Sequence, residues 1–183
     1  MKVTMHSLFI IVSTTLALVQ SYSQWAEPVA PIIPEADGYV AIPHAAVMPQ
    51  KSSTFRAIFN ATGMADNPTQ LVPAINMVGS ELNLLGAIGV PLRNAKFVVV
   101  FHGPAMDGIL DDAHYKEKFG VSNQNLNVIT ALKRSGVNLF VCGQNLAAEN
   151  MDPLSITPDV TIASDALIVL MEYQNKGYAT LSF

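Results

Sequence analysis

Val137-Asn138-Leu139-Phe140-Val141-Cys142-Gly143-Gln144-Asn145 is an apolar run that ends abruptly in Cys-Gly. A buried strand reads this way where it leaves a sheet. In open α/β sheets, ligands and chemistry gather outside the carboxyl ends of the strands. The stretch therefore predicts a strand, and it puts the chain's single cysteine, Cys142, at that rim. Upstream, Phe97-Val98-Val99-Val100-Phe101 is a second continuous apolar run, the mark of a strand buried on both faces. It stops at His102-Gly103-Pro104. Residues 55–60 are strand-like, Val160-Thr161-Ile162-Ala163 is a short strand, and residues 178–183 form a last one.

Helical patterns lie between these runs. Asn67-Pro68 pairs a capping residue with a proline suited to the first helical position. Leu71, Ile75, Val78, Leu82 and Leu85 then share one face, and Gly89 and Pro91 end the helix. Gly79 and Gly86 weaken it by about 1 kcal/mol each relative to alanine, which points to close backbone approach against the sheet. Residues 105–123 make a polar segment too long for a simple connection, with room for a short helix over 111–119. Ser122 or Asn123 caps the next helix, with Leu126, Ile129 and Leu132 inward and Gly136 at its end. Residues 144–149 make a helical turn, and Ser164 caps a final helix to about Lys176. Strands alternating with helices predict a three-layer α/β/α domain on a mainly parallel five-stranded sheet.

The ends of the chain differ in character. Residues 1–23 read as a secretory signal: Lys2 is the positive flank, residues 8–19 are mostly apolar, and Ser21-Tyr22-Ser23 offers a cleavage site. The run is shorter than the ~20 apolar residues of a membrane span. The expected location is thus periplasmic or secreted, with no stable membrane span once the signal is removed. Residues 24–53 carry Pro28, Pro31, Pro34, Pro43 and Pro49, and read as a proline-rich extended arm with a short strand at 39–42. Composition alone also allows a floppy tail. Trp25, Ile32, Ile33, Tyr39 and Val47 favour an arm that packs on something, a neighbouring subunit included. The domain proper spans 54–183.

The chain has 10 basic and 14 acidic residues, a net charge of −4. That argues against a sequence-independent nucleic-acid binder, which needs clustered Lys and Arg. One cysteine rules out a disulfide scaffold, so stability must come from the core.

Three strand exits converge on one rim: Asn60 after the first, His102-Gly103 after the second, Cys142-Gly143-Gln144-Asn145 after the third. The set combines a thiol, an imidazole and amides. A thiolate is a strong nucleophile, and a helix opening at Gln144 would aim its amide dipoles at the Cys142 sulfur. His102 would serve as acid/base or as a stabilising partner. Plainer readings stand beside these. A cysteine at a strand end is often a small buried hydrophobe, His102 fits a structural hydrogen bond equally well, and both glycines suit tight turns. Asp107, Asp111, Asp112 and His114 lack metal-ligand spacing, so no metal is assigned. The sequence has no nucleophile elbow, phosphate loop or dinucleotide fingerprint, and no cofactor is expected.

Three stretches read together point to a family. They are Val98-Val99-Val100-Phe101-His102-Gly103, then Asn125 with Leu132-Lys133-Arg134-Ser135-Gly136-Val137, then Val141-Cys142-Gly143-Gln144. With Tyr173-Gln174-Asn175-Lys176-Gly177-Tyr178-Ala179 they resemble the DsrE/DsrF-like proteins, over about residues 55–183. The resemblance implies a flavodoxin-like subunit that assembles into trimers or hexamers. It also implies a cysteine, matched by Cys142, that accepts sulfur as a persulfide from a donor protein and passes it to an acceptor. Sulfur-relay members of the family are largely cytoplasmic, whereas this chain carries a signal and an added arm. Three functions follow: an exported persulfide carrier, a non-catalytic oligomeric module binding a small ligand near Gln144 and Asn145, or a structural subunit clasped by its arm.

Overall fold

The computed structural model describes residues 25–183. The candidate signal over 1–23 and its cleavage point lie outside the described residues. Ten elements follow in chain order: β1 (Phe55–Ala61), α1 (Pro73–Ala87), β2 (Ala95–Phe101), α2 (Asp112–Phe119), α3 (Asn125–Arg134), β3 (Asn138–Cys142), α4 (Gly143–Ala148), β4 (Thr161–Ala163), α5 (Ala166–Asn175) and β5 (Ala179–Ser182).

The five strands form one sheet in the order β4-β3-β2-β1-β5, and every neighbouring pair is parallel. From β1 to β4 the chain steps one way across the sheet, then crosses back to lay β5 beside β1. Right-handed crossovers in opposite directions put their helices on opposite faces. So α1 packs on β1, β2 and α3, while α5 packs on the other face against β1, β2, β3 and β5. Strand alternation divides the core accordingly. Phe59, Phe97, Val99 and Phe101 join Ile75, Leu82, Ile129 and Leu132 in the larger cluster. Ile58, Val98, Val100 and Cys142 join Ala166 and Val169 in the smaller one.

The first helix begins one turn later than Asn67-Pro68 predicts. The Asn67 side chain instead accepts the Thr69 amide at 2.9 Å, a local turn that competes with capping. Pro73 takes the first helical position, and the Val72 amide preceding it donates to Asn125 at 2.8 Å. Leu71 therefore sits ahead of the helix, half-buried. On α3 the inward residues are Asn125, Val128, Ile129 and Leu132, with Leu126 only half-buried. The cap of α5 is Asp165 rather than Ser164; its carboxylate accepts from the Leu167 amide at 2.6 Å and the Ile168 amide at 3.3 Å.

The arm folds back on its own domain. In place of a strand at 39–42 there is a single antiparallel bridge between Val29 and Tyr39. Ile33 is fully buried against α1. Its amide and that of Ile32 donate to Asn83 Oδ1 at 2.8 and 3.0 Å, and Asn83 Nδ2 donates to the Ile33 carbonyl at 2.9 Å. The helical glycines make room for this arm and not for the sheet: a Cβ on Gly79 would strike Ala36, and one on Gly86 would strike Ile32. Among the described residues, no helix is long and apolar enough to cross a membrane.

Candidate functional site

Register sets the site. The ladder between β2 and β3 ends at Phe101 opposite Val141, so His102 and Cys142 stand side by side one step further on. On the other side of β2, Asn60 is one residue short of the last pair of β1 and β2, Ala61 opposite Phe101. Asn60 also pairs with Ser182 of β5. Alternation from Ile58, Val98 and Phe140 directs Asn60, His102 and Cys142 to the α5 face. The carboxyl-terminal rim thus carries Ser182, Asn60, His102 and Cys142 in one row across four strands.

Hydrogen bonds knit part of this row. His102 Nε2 lies 2.7 Å from Asn60 Oδ1, which fixes that nitrogen as the donor. Asn60 Nδ2 donates to Ser182 Oγ at 3.3 Å. The sulfur of Cys142 is held from a different direction: it accepts the amide of Ala166, the first residue of α5, at 3.3 Å. Among the described residues no hydrogen bond joins His102 to Cys142. Cys142 is 3% exposed, so its sulfur sits beneath the rim rather than on it.

The helix over 144–149 does form, as α4, and it starts at Gly143 with Cys142 as the preceding cap residue. Yet the amide that reaches the sulfur comes from α5. Gly143 has no room for a side chain, since a Cβ there would lie 2.7 Å from the Ala163 carbonyl. That close passage brings the exits of β3 and β4 together, and Ala166 follows three residues after Ala163. Gly103 has φ 57, a left-handed turn that favours glycine. Its amide donates to Asn145 Oδ1 at 3.3 Å, tying the β2 exit to α4. Gln144 is exposed, and its side chain makes no hydrogen bond among the described residues.

A cavity of about 240 Å³ opens beside Gly103, walled by Met106, Asp107, Lys118, Glu149 and Met151. Cys142 does not line it. The acidic loop is occupied by pairing: Asp107 with Lys118 at 2.5 Å, Asp111 with His114 at 2.8 Å, Asp112 with Lys116 at 2.8 Å. The His114 amide and ring hold the Asp111 carboxyl below its usual range, and Lys116 and the Asn123 amide do the same for Asp112. Among the described residues no three His, Cys, Asp or Glu side chains gather as metal ligands.

Two contributors were missed in the sequence: the Ala166 amide and Ser182. The signal for the first was Asp165, a helix cap directly after β4, whose exit adjoins that of β3. Ser182 stood within the last predicted strand, but only the sheet order puts it beside Asn60.

Fold and rim define an all-parallel α/β domain, with helices on both faces of its sheet and a sheltered thiol at the carboxyl edge. The DsrE/DsrF-like family matches residues 51–183, and the chain belongs to that family. Two solved structures share the fold. One is a protein of unknown function, MTH1491 from Methanobacterium thermoautotrophicum, at 19% identity and a TM-score of 0.53, covering 70% of this chain and 99% of that one. The other is the ychN protein from E. coli, at 15% identity and a TM-score of 0.53, covering 71% and 100%. No curated protein matches the chain.

Proposed function

We propose that this chain is an exported sulfur carrier, loaded as a persulfide on Cys142. The observation that carries the reading is the Ala166 amide on the Cys142 sulfur, at the first turn of α5. An amide aimed at sulfur from a helix start suits a sulfur anion better than a merely packed thiol. Family membership supports the same reading, since the resemblance implies a persulfide-accepting cysteine at the position of Cys142.

The chemistry is a pair of thiol exchanges. The Cys142 thiolate attacks the sulfane sulfur of a persulfide or polysulfide donor. The new S–S bond forms as the donor's S–S bond breaks, and the donor leaves as a thiolate with the electron pair. An acceptor thiolate then attacks the outer sulfur, and Cys142 leaves as its thiolate. No net oxidant is consumed. Asn60, His102 and the backbone at Gly103 and Gly143 line the rim over which the outer sulfur would emerge. A donor and an acceptor, a trimeric or hexameric assembly, and a periplasmic or secreted location belong to this proposal.

The depth of Cys142 favours a second reading, a non-catalytic module in which the thiol is part of a wall and Gln144 and Asn145 bind a small ligand. One experiment separates them: intact mass after incubation with polysulfide and without reductant, beside a Cys142→Ser control. Added mass in sulfur-atom steps, reversed by reductant and absent from the control, is expected for the carrier. No adduct on a folded protein with a titratable thiol would overturn the carrier reading and favour the module.

A further inference from the structure

On the face of the sheet opposite Cys142, a second cavity of about 550 Å³ runs between α1, β1, β5 and residues 47–53 of the arm. Its walls are apolar, with Met48, Phe55, Phe59, Leu84, Leu85 and Leu181 prominent among them. Leu181 is 40% exposed and Met48 43%, so the groove is open to solvent on the β5 side. The volume falls within the range of about 300–1,000 Å³ typical of small-molecule sites.

One ionisable group marks this groove. Glu81 projects from α1 among the apolar walls, half-buried, and its side chain has no hydrogen bond or ion pair among the described residues. Burial alone acts on it and raises its pKa above the ordinary value. Arg56 borders the groove through β1, but alternation sends its side chain to the α5 face with Ile58. Gln50 and Ser53 are the remaining polar residues. A purely apolar occupant would bury the Glu81 carboxylate further with nothing to satisfy it, which is costly. An anionic one would add repulsion. The occupant that fits brings apolar bulk together with a cationic donor.

We propose that this groove is a binding site for an amphiphilic amine, its apolar body against Phe59, Leu85 and Leu181 and its ammonium on the Glu81 carboxylate. The site is separate from Cys142 and does not depend on sulfur transfer. The arm that forms one wall is part of the site.

The test is a titration of the full chain with n-octylammonium chloride, beside n-octanol and sodium octanoate, read from the methyl resonances of Leu85 and Leu181. The ammonium is expected to bind about tenfold or more tightly than the octanoate, as one charge-assisted hydrogen bond implies. Glu81→Gln is expected to bring the ammonium to the level of the alcohol while leaving the alcohol's own binding intact. Ala179→Phe, at an exposed position on the groove wall, should abolish all three. Equal affinity for ammonium and octanoate, or an ammonium preference retained in Glu81→Gln, would overturn the proposal. So would silent Leu85 and Leu181 resonances, which would mean that another part of the protein or a second copy already fills the groove.

Discussion

Asn83 on α1 holds both backbone polar groups of Ile33: its Oδ1 accepts the Ile33 amide at 2.8 Å and its Nδ2 donates to the Ile33 carbonyl at 2.9 Å. Both residues are fully buried. A proline-rich segment has few amides with which to build its own structure, so a side chain of the domain supplies the partners. Asn83 thereby turns an arm without strands into a fixed layer over α1.

Replacing Asn83 with alanine strands the amides of Ile32 and Ile33, while the Ile33 carbonyl keeps only the Ala36 amide at 3.1 Å. The docked arm should lose about 1–3 kcal/mol, the cost of stranding buried hydrogen-bonding groups. Amide exchange at Ile32 and Ile33 should accelerate far more than exchange in β2 or β3. Uniform acceleration across the sheet would mean that arm and core unfold as one unit.

The two helical glycines under the arm predict a contrast. In Gly79→Ala the new methyl meets the Cβ of Ala36, which has no rotamer with which to move away. In Gly86→Ala it meets Cγ1 and Cδ1 of Ile32, the movable end of a half-buried side chain, at 2.6 and 2.8 Å. Each change also gains about 1 kcal/mol of helix propensity. Overpacking costs about 1–3 kcal/mol where nothing yields. Thermal denaturation should therefore show Gly79→Ala destabilised and Gly86→Ala near wild type.

The strands were legible because apolar runs such as 97–101 satisfy a two-sided burial that little else in a chain requires. Their parallel order followed from the intervening helices. The first helix start was not legible, because Asn67 can serve either a cap or a local turn and the choice depends on Asn125, far along the chain, taking the Val72 amide. Gly79 and Gly86 signalled a close approach, but the sheet expected there is replaced by the arm, a long-range partner that local sequence does not reveal. At the rim, the row of Asn60, His102 and Cys142 could be placed from strand exits alone. The amide on the Cys142 sulfur could not, since it comes from 24 residues away across the β4 crossover.

For the rim, geometry predicts unequal roles. The His102 ring is engaged by Asn60 and makes no hydrogen bond to Cys142 among the described residues. On the proposed carrier function, His102→Ala should slow persulfide formation by less than about tenfold, short of the ~100-fold or more expected of a positioned acid/base. Cys142→Ser should abolish it. Stopped-flow loading with polysulfide measures both, and a loss near 100-fold in His102→Ala would show that the ring turns toward the thiol during reaction.

Acid and neutral pH should stress different parts of the molecule. Asp111 and Asp112 have carboxyls held below their ordinary value of 3.8 by hydrogen bonds and pairing at α2. Their contribution to stability is present above 3.8 and is lost as pH falls through the lower folded-state values. Glu81 runs the other way. Its folded-state pKa is raised above 4.5 by burial, so the native state binds the proton more tightly than the unfolded chain. Stability then falls as pH rises from 4.5 through the raised value, and the penalty persists at neutral pH. Glu81→Gln removes the charge and keeps the shape. It should raise the melting temperature at pH 7 and leave it nearly unchanged at pH 4, where the wild-type carboxyl is already mostly protonated in the fold. Asp111→Asn should lower the melting temperature at pH 7 through loss of the charged α2 cap, with the difference shrinking in strong acid. Melting curves of the two variants against pH should therefore depart from wild type in opposite directions, and a Glu81→Gln variant less stable than wild type at pH 7 would mean that its carboxylate has a cationic partner.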